Sequence, residues 1–265
     1  MNSNVQDMIS SQLPDDISII SEIVALAEKN PENRISHLQN FAGTYQFRLM
    51  YRFFRKYVSR GAGVLDWGVG NGHFSYFLMR SGYNVCGFSF ENFPAEVCLS
   101  DTHYRFVRGN AMDPVRLPFK DCSFAAVASV GVLEHVKETG GDEVASLGEI
   151  ARILKPDGVF VCCHLPNRYS LIEALARCFP NKHYHKFRYT KSDIAALVKQ
   201  SKLQLVETKR YGFLPRNIWQ YAPKRLRHTR IFALAWDILD ALLAFPFTLL
   251  CKNYIFVARK PGKAD

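Results

Sequence analysis

The stretch VLDWGVGNGHFS, Val64 to Ser75, decides the fold. An apolar run passes into a turn holding Gly68, Gly70 and Gly72, and a helical pattern begins directly after it. Glycines in such a turn let the backbone come close to a ligand. Asp66, just before the turn, puts a negative charge beside that approach. The order strand, glycine turn, helix is one unit of an α/β fold, and the acid restricts what the unit can hold.

Outward from this stretch, short apolar runs alternate with helical ones. The pattern predicts strands at 63–67, 84–88, 104–108, 124–130 and 158–164, with helices at 72–81, 92–99 and 142–154. These runs are hydrophobic throughout instead of alternating, so both faces of each strand are buried, as in a parallel sheet wrapped by helices. A helix at 191–201 and strands at 203–210 and 253–260 complete the sheet, and helices at 16–29 and 34–59 precede it. The reading is α/β: a helical extension or lid over 1–60, then a main domain over 61–265 with an insertion at about 211–252. Ligands of such sheets sit at the carboxyl ends of the strands near the topological switch, where the glycine turn falls.

A dinucleotide fingerprint wants GxGxxG, and its third glycine is here His73. Asp66 would also repel a pyrophosphate, so a nicotinamide dehydrogenase is disfavoured. A ligand carrying an ammonium group gains from the same carboxylate. The turn suits a cationic, adenosine-bearing ligand.

With VLDWGVGNG, NAMDPVRLPFKDCSFAAVASVGVLEHV (110–136) and EIARILKPDGVFV (149–161) in order, the chain resembles the class I S-adenosylmethionine-dependent methyltransferases, type 11 branch. The resemblance is close over about 60–165. It implies a Rossmann-like, mostly parallel seven-stranded sheet with an antiparallel last strand, helices on both faces, and S-adenosylmethionine as cofactor. Carried over by position, Asp66, Gly68 and Gly70 line the methionine end, Asn110 and Ala111 lie by the adenine, and Val130 closes the pocket. Asn71 and Phe90 also count among the cofactor-binding positions. Two departures stand out: Ser89 takes the place of the usual ribose-binding acid, with Glu91 two residues later, and Asn110 replaces the acid beside the adenine amino group.

Transfer to a hydroxyl needs a base as well as alignment. His135, in GVLEHV, is the first choice, and Glu134 beside it orients it or caps the next helix. His164, in CCHLPN, is the second, with a strand-end cap as its alternative role. The Asp/Asn-Pro-Pro-aromatic signature of methylases that target planar amino groups is missing at SVGVLEH, which points away from base methylation.

Across the 265 residues, 48% hydrophobic content suffices for a large core, and the polar start MNSNVQDMISSQLPDD has no leader pattern. Seven cysteines without a CxxC pair fit a reducing, cytoplasmic setting, and scattered Cys and His give no zinc tetrad, so no metal is expected. The net charge of +10 concentrates in the second half, notably in KRLRHTR (224–230), which leads into IFALAWDILDALLAFPFTLLC (231–251). Asp237, Asp240 and Pro246 argue against a membrane span. Basic residues before an amphipathic helix suit peripheral contact with an anionic membrane through about 224–251; packing on its own domain or on a second copy is the alternative. The sequence reading is therefore a methyltransferase acting on oxygen of a small or lipid-linked acceptor, placed in the cytoplasm or on the cytoplasmic face of a membrane. An RNA methyltransferase and a catalytically inactive scaffold at a membrane surface are the alternatives; nucleic acid is the less favoured partner, and the oligomeric state is left open.

Overall fold

The continuous apolar runs form the parallel part of one sheet in the computed structural model, which describes residues 13–29, 38–91, 104–179 and 184–262. Strands β1 (Gly63–Trp67), β2 (Asn84–Ser89), β3 (Tyr104–Arg108), β4 (Phe124–Val130) and β5 (Leu154–Pro166) run parallel. With β6 (Gln204–Tyr211) and β7 (Asn253–Arg259), the order is β3-β2-β1-β4-β5-β7-β6, and β7 is antiparallel to both neighbours. The chain builds outward from β1 to β3 and then returns to β4 on the other side of β1. That reversal opens a crevice at the carboxyl ends of β1 and β4.

Both faces of the sheet are covered, as the unbroken hydrophobicity requires. Val64 and Ala126 point into one core, with Phe47, Tyr51, Phe54, Phe74 and Phe77. Leu65 and Val127 point into the other, with Leu147, Ile150, Ile194 and Val198. The first layer comprises α1 (Asp16–Lys29), α2 (Phe41–Thr44), α3 (Phe47–Tyr57) and α4 (His73–Arg80), in which Tyr51 stacks on Phe77 with ring centroids 3.7 Å apart. The opposite layer holds α5 (Glu143–Ile153), capped by Asp142, and, after the short α6 (Leu171–Ala176), α7 (Lys191–Gln200), which opens with a Thr190–Asp193 capping box.

Three expectations need correction. The helix expected over 34–59 is two helices among the described residues, 34–37 lying outside them, because the chain turns at Tyr45–Gln46. There Thr44 Oγ1 and Gln46 Nε2 bond back to the Asn40 and Gly43 carbonyls and compete with continued helix. The strand expected at 158–164 is longer at both ends, and α6 was not foreseen. The helix expected at 92–99 lies outside the described residues.

The excursion between β6 and β7 carries α8 (Lys224–Arg227) and α9 (Arg230–Ala244), and α9 stops just before Pro246. Its acids turn inward. The Leu214 N–H donates to Asp240 Oδ1 at 2.6 Å, and Arg216, largely buried, pairs with both Asp237 and Asp240. Ala233 is buried, and Trp219 packs edge-on against Phe232 and Trp236. The helix thus packs on its own domain, one of the alternatives the sequence left open, through a face that joins its two acids to Phe232, Ala233 and Trp236. Among the described residues no helix is long and apolar enough to cross a membrane.

Candidate active site

Beyond β1 the glycine turn runs with φ of 82° at Gly68, 51° at Gly70 and 73° at Gly72, the left-handed region where side chains are disfavoured. The Gly68 and Val69 N–H groups donate to the Phe88 carbonyl at 2.9 and 3.1 Å, tying the turn to the end of β2. A Cβ on Gly68 would stand 2.4 Å from Val132 Cγ2. This glycine therefore also serves packing, besides lining the cavity. At Gly70 the nearest atom to an added Cβ is the loop's own Gly68 carbonyl, at 3.9 Å, so the loop is open to a ligand there.

A cavity of about 370 Å³ opens against this turn at the crevice between β1 and β4. Asp66, Gly68, Gly70, Asn71 and Val130 line it, and His135 and His164 stand in its walls. Seven of the eleven positions singled out in the sequence thus come together. Ser89, Phe90, Asn110 and Ala111 lie outside this lining, at or just past the carboxyl ends of β2 and β3. Ser89 Oγ accepts from the Glu91 N–H at 3.2 Å, and Glu91 itself is exposed. The Asn110 carbonyl oxygen, expected to accept from adenine, already accepts from the Met112 N–H at 3.0 Å and keeps one lone pair for a ligand. Phe90 packs edge-on to Phe88, over Gly109.

Asp66 is 1% exposed and accepts a 2.6 Å hydrogen bond from Ser75 Oγ. Burial, only partly opposed by the Ser75 bonds, pushes its carboxyl up to about 6. A cation placed in the cavity would reverse that shift.

The histidines differ in what their rings present. His135 Nδ1 lies 2.7 Å from Glu138 Oε2, so it donates there and leaves Nε2 as a lone pair. His185 is held the same way by Glu173, which its backbone N–H also reaches at 2.9 Å. Burial alone would raise the Glu173 carboxyl, but these bonds outweigh it and hold it near 2. Burial pushes the nearby Glu134 carboxyl up to about 7. Glu134, His135 and His185 each offer an atom within 4.8 Å of the others, a set that a divalent cation could take, although the sequence suggested no metal site. His164 has φ of 63° at the strand end, and its Nδ1 faces the Tyr211 hydroxyl at 3.1 Å and the Asn253 amide nitrogen at 3.0 Å. In the tautomer that accepts from that amide, the His164 proton lies on Nε2.

A second cavity, about 560 Å³, adjoins the first and shares Gln46, His164, Asn217, Lys252 and Asn253 with it. Its walls combine apolar side chains, among them Leu49, Ile172, Leu214 and Phe245, with the charged Lys209, Arg210, Arg216, Asp237 and Asp240. The sequence reading missed His185 and all of the shared residues except His164. They reach the site from other strand ends and loops, and the one usable hint was that Lys252 and Asn253 lead into a strand beside β5.

Residues 65–162 match the family model described as a methyltransferase domain, type 11. No curated protein matches the chain. Among solved structures, a SAM-dependent methyltransferase from Methanosarcina mazei is 16% identical, with a TM-score of 0.55 over 80% of this chain and 98% of that one. A Burkholderia thailandensis 1,6-didemethyltoxoflavin N1-methyltransferase, bound to its substrate and S-adenosylhomocysteine, is 17% identical, with a TM-score of 0.51 over 81% and 78%. A [4+2]-cyclase is 15% identical, with a TM-score of 0.56 over 83% and 82%. The shared fold thus hosts more than one chemistry. Residues 65–162 are thus similar to a methyltransferase domain of the type 11 branch, and the sheet that carries them has the fold of the solved methyltransferases.

Proposed function

We propose that the chain transfers a methyl group from S-adenosylmethionine to an oxygen of a small or lipid-linked acceptor. The observation that carries this reading is the pair of adjoining cavities: one holds a buried acid against an open glycine turn, and the other offers apolar side chains beside charged ones, as an amphipathic acceptor needs. The first fits the cofactor by its chemistry, because a buried carboxylate with no ion-pair partner among the described residues matches an ammonium group and Gly70 leaves room for close approach. When bound, S-adenosylmethionine supplies an electrophilic methyl group on a positively charged sulfur.

The chain's own residues then align and deprotonate. The Gly68–Asn71 turn and Asp66 hold the methionine end, with Val130 closing the cavity below; Ser89, Phe90, Asn110 and Ala111 serve the ribose and adenine end. Gln46, on the N-terminal helical layer that acts as a lid, reaches both cavities. His135 takes the acceptor's hydroxyl proton on Nε2, and Glu138 steadies the imidazolium that results. His164 donates from Nε2 across the seam between the cavities and orients the acceptor. Alignment of this kind supplies most of the acceleration in a displacement at carbon.

The test is label transfer from methyl-labelled S-adenosylmethionine into lipid and soluble extracts. His135→Gln is expected to slow turnover about tenfold to a hundredfold while leaving S-adenosylhomocysteine affinity within about twofold. A variant that turns over like the parent protein removes His135 as the base. No label in any extract, from folded protein that binds the cofactor, counts against transfer itself.

A further inference from the structure

The excursion between β6 and β7 has its polarity reversed for a surface helix. The acids of α9 face the protein together with Phe232 and Trp236, and other large apolar side chains face outward: Ile231 is 79% exposed, Leu242 66% and Phe245 87%. Leu234, Ile238 and Leu239 complete a stripe at helical spacing, continued past the helix by Phe247 and Leu249. Single exposed apolar residues need no explanation, but a contiguous stripe marks a surface that meets something. Nothing in the described residues covers it.

From this we infer that α9 lies on an anionic lipid bilayer and sets the mouth of the second cavity at the lipid surface. Three observations favour a bilayer over a second protein. Lys224 and Arg225 are exposed just before the helix, where they would meet anionic headgroups. Asp237 and Asp240 are the only acids from 218 to 252, and Arg216 and the Leu214 amide hold both away from the stripe. The 15-residue helix, about 22 Å long, is too short to span but suited to lying in the interface with its apolar side among the acyl chains. Arg216 acts as the latch: by neutralising the two acids it fixes which side of the helix points outward.

Ala241 and Phe245 belong both to the exposed outer surface and to the wall of the second cavity, so an acyl chain at the stripe has a short path inward. The acceptor is then an amphiphile resident in the membrane, with its head hydroxyl at the seam by His164 and its apolar part toward Phe245. This second half of the inference rests on the methyl-transfer reading; the docking does not.

The test is flotation with vesicles of phosphatidylcholine alone or mixed with about a third phosphatidylglycerol, using the full chain and Ile238→Glu/Leu242→Glu. The parent protein should float with the anionic vesicles, be released by salt, and bind neutral vesicles much less. The double variant should lose at least tenfold in bound fraction while keeping its melting temperature and S-adenosylmethionine affinity. No flotation of the parent overturns the docking, as does a variant that floats equally well. A parent dimer seen by light scattering, lost in the variant and without flotation, overturns it in favour of a second copy. Flotation without S-adenosylmethionine binding leaves the docking standing and removes the transfer reading alone.

Discussion

Gly68→Ala is expected to lower the melting temperature by roughly 6 to 12 °C and to abolish measurable S-adenosylmethionine binding. Two costs combine. An alanine at φ 82° is strained wherever it sits. Its methyl would also stand 2.4 Å from Val132 Cγ2 and 3.2 Å from Val132 Cβ, so rotating the valine does not relieve the overlap. Overpacking of this kind costs about 1 to 3 kcal/mol. Val132 leads directly into the 3₁₀ turn Leu133–Thr139, which carries Glu134 and His135, so the displacement reaches the opposite wall of the cavity. Thermal unfolding of Gly68→Ala/Val132→Ala separates the causes: the double variant should recover the steric part and retain the backbone part. If it is no more stable than Gly68→Ala, the valine contact is not responsible.

Asp66→Asn is expected to act in opposite directions on the free and the loaded protein. The folded carboxyl holds its proton up to about pH 6, whereas the unfolded chain releases it near 3.8. The native state therefore binds more protons across that window, and stability falls as pH rises through it, by as much as about 3 kcal/mol. Asparagine keeps the Ser75 bond without the charge, so the free variant should melt higher than the parent at pH 7.5 and level with it near pH 4. Cofactor affinity should move the other way, falling about a hundredfold at pH 7.5 for loss of a charged hydrogen bond. Parent affinity should also drop as pH falls below 6, while the variant stays flat. Calorimetric titration at pH 5, 6 and 7.5 reads both; a variant that binds as tightly as its parent would falsify the role given to Asp66.

Where the sequence was legible, local and global preferences agreed. Val64, Leu65 and their counterparts in β4 are apolar at every position because each strand has a core on both sides, and Asp142 and Thr190 mark helix starts by the bonds they make. Asp66, Gly70 and Val130 could be placed because a strand-turn-helix unit carries its ligand face with it. The rest depended on distant partners. A helical wheel groups Asp237 and Asp240 correctly but cannot tell which way they point; that is decided by Arg216, over twenty residues earlier. His185 meets His135 only because the fold closes the long stretch of chain between them, and Asn253 meets His164 only across the β5–β7 pairing.

The position of β7 between β5 and β6 also sets an order of folding. Among the described residues β6 has no sheet partner except β7, which the chain reaches only after the excursion of 212–252. Until β7 docks, the β5 edge is open and β6 with α7 has nothing to pair with, a state in which unpaired strand edges invite misassembly. Closing a loop of that length is slow relative to local helix formation. The Arg216 pairs on α9 hold the excursion near its own root, and it ends where it began, with Asn253 opposite Tyr211.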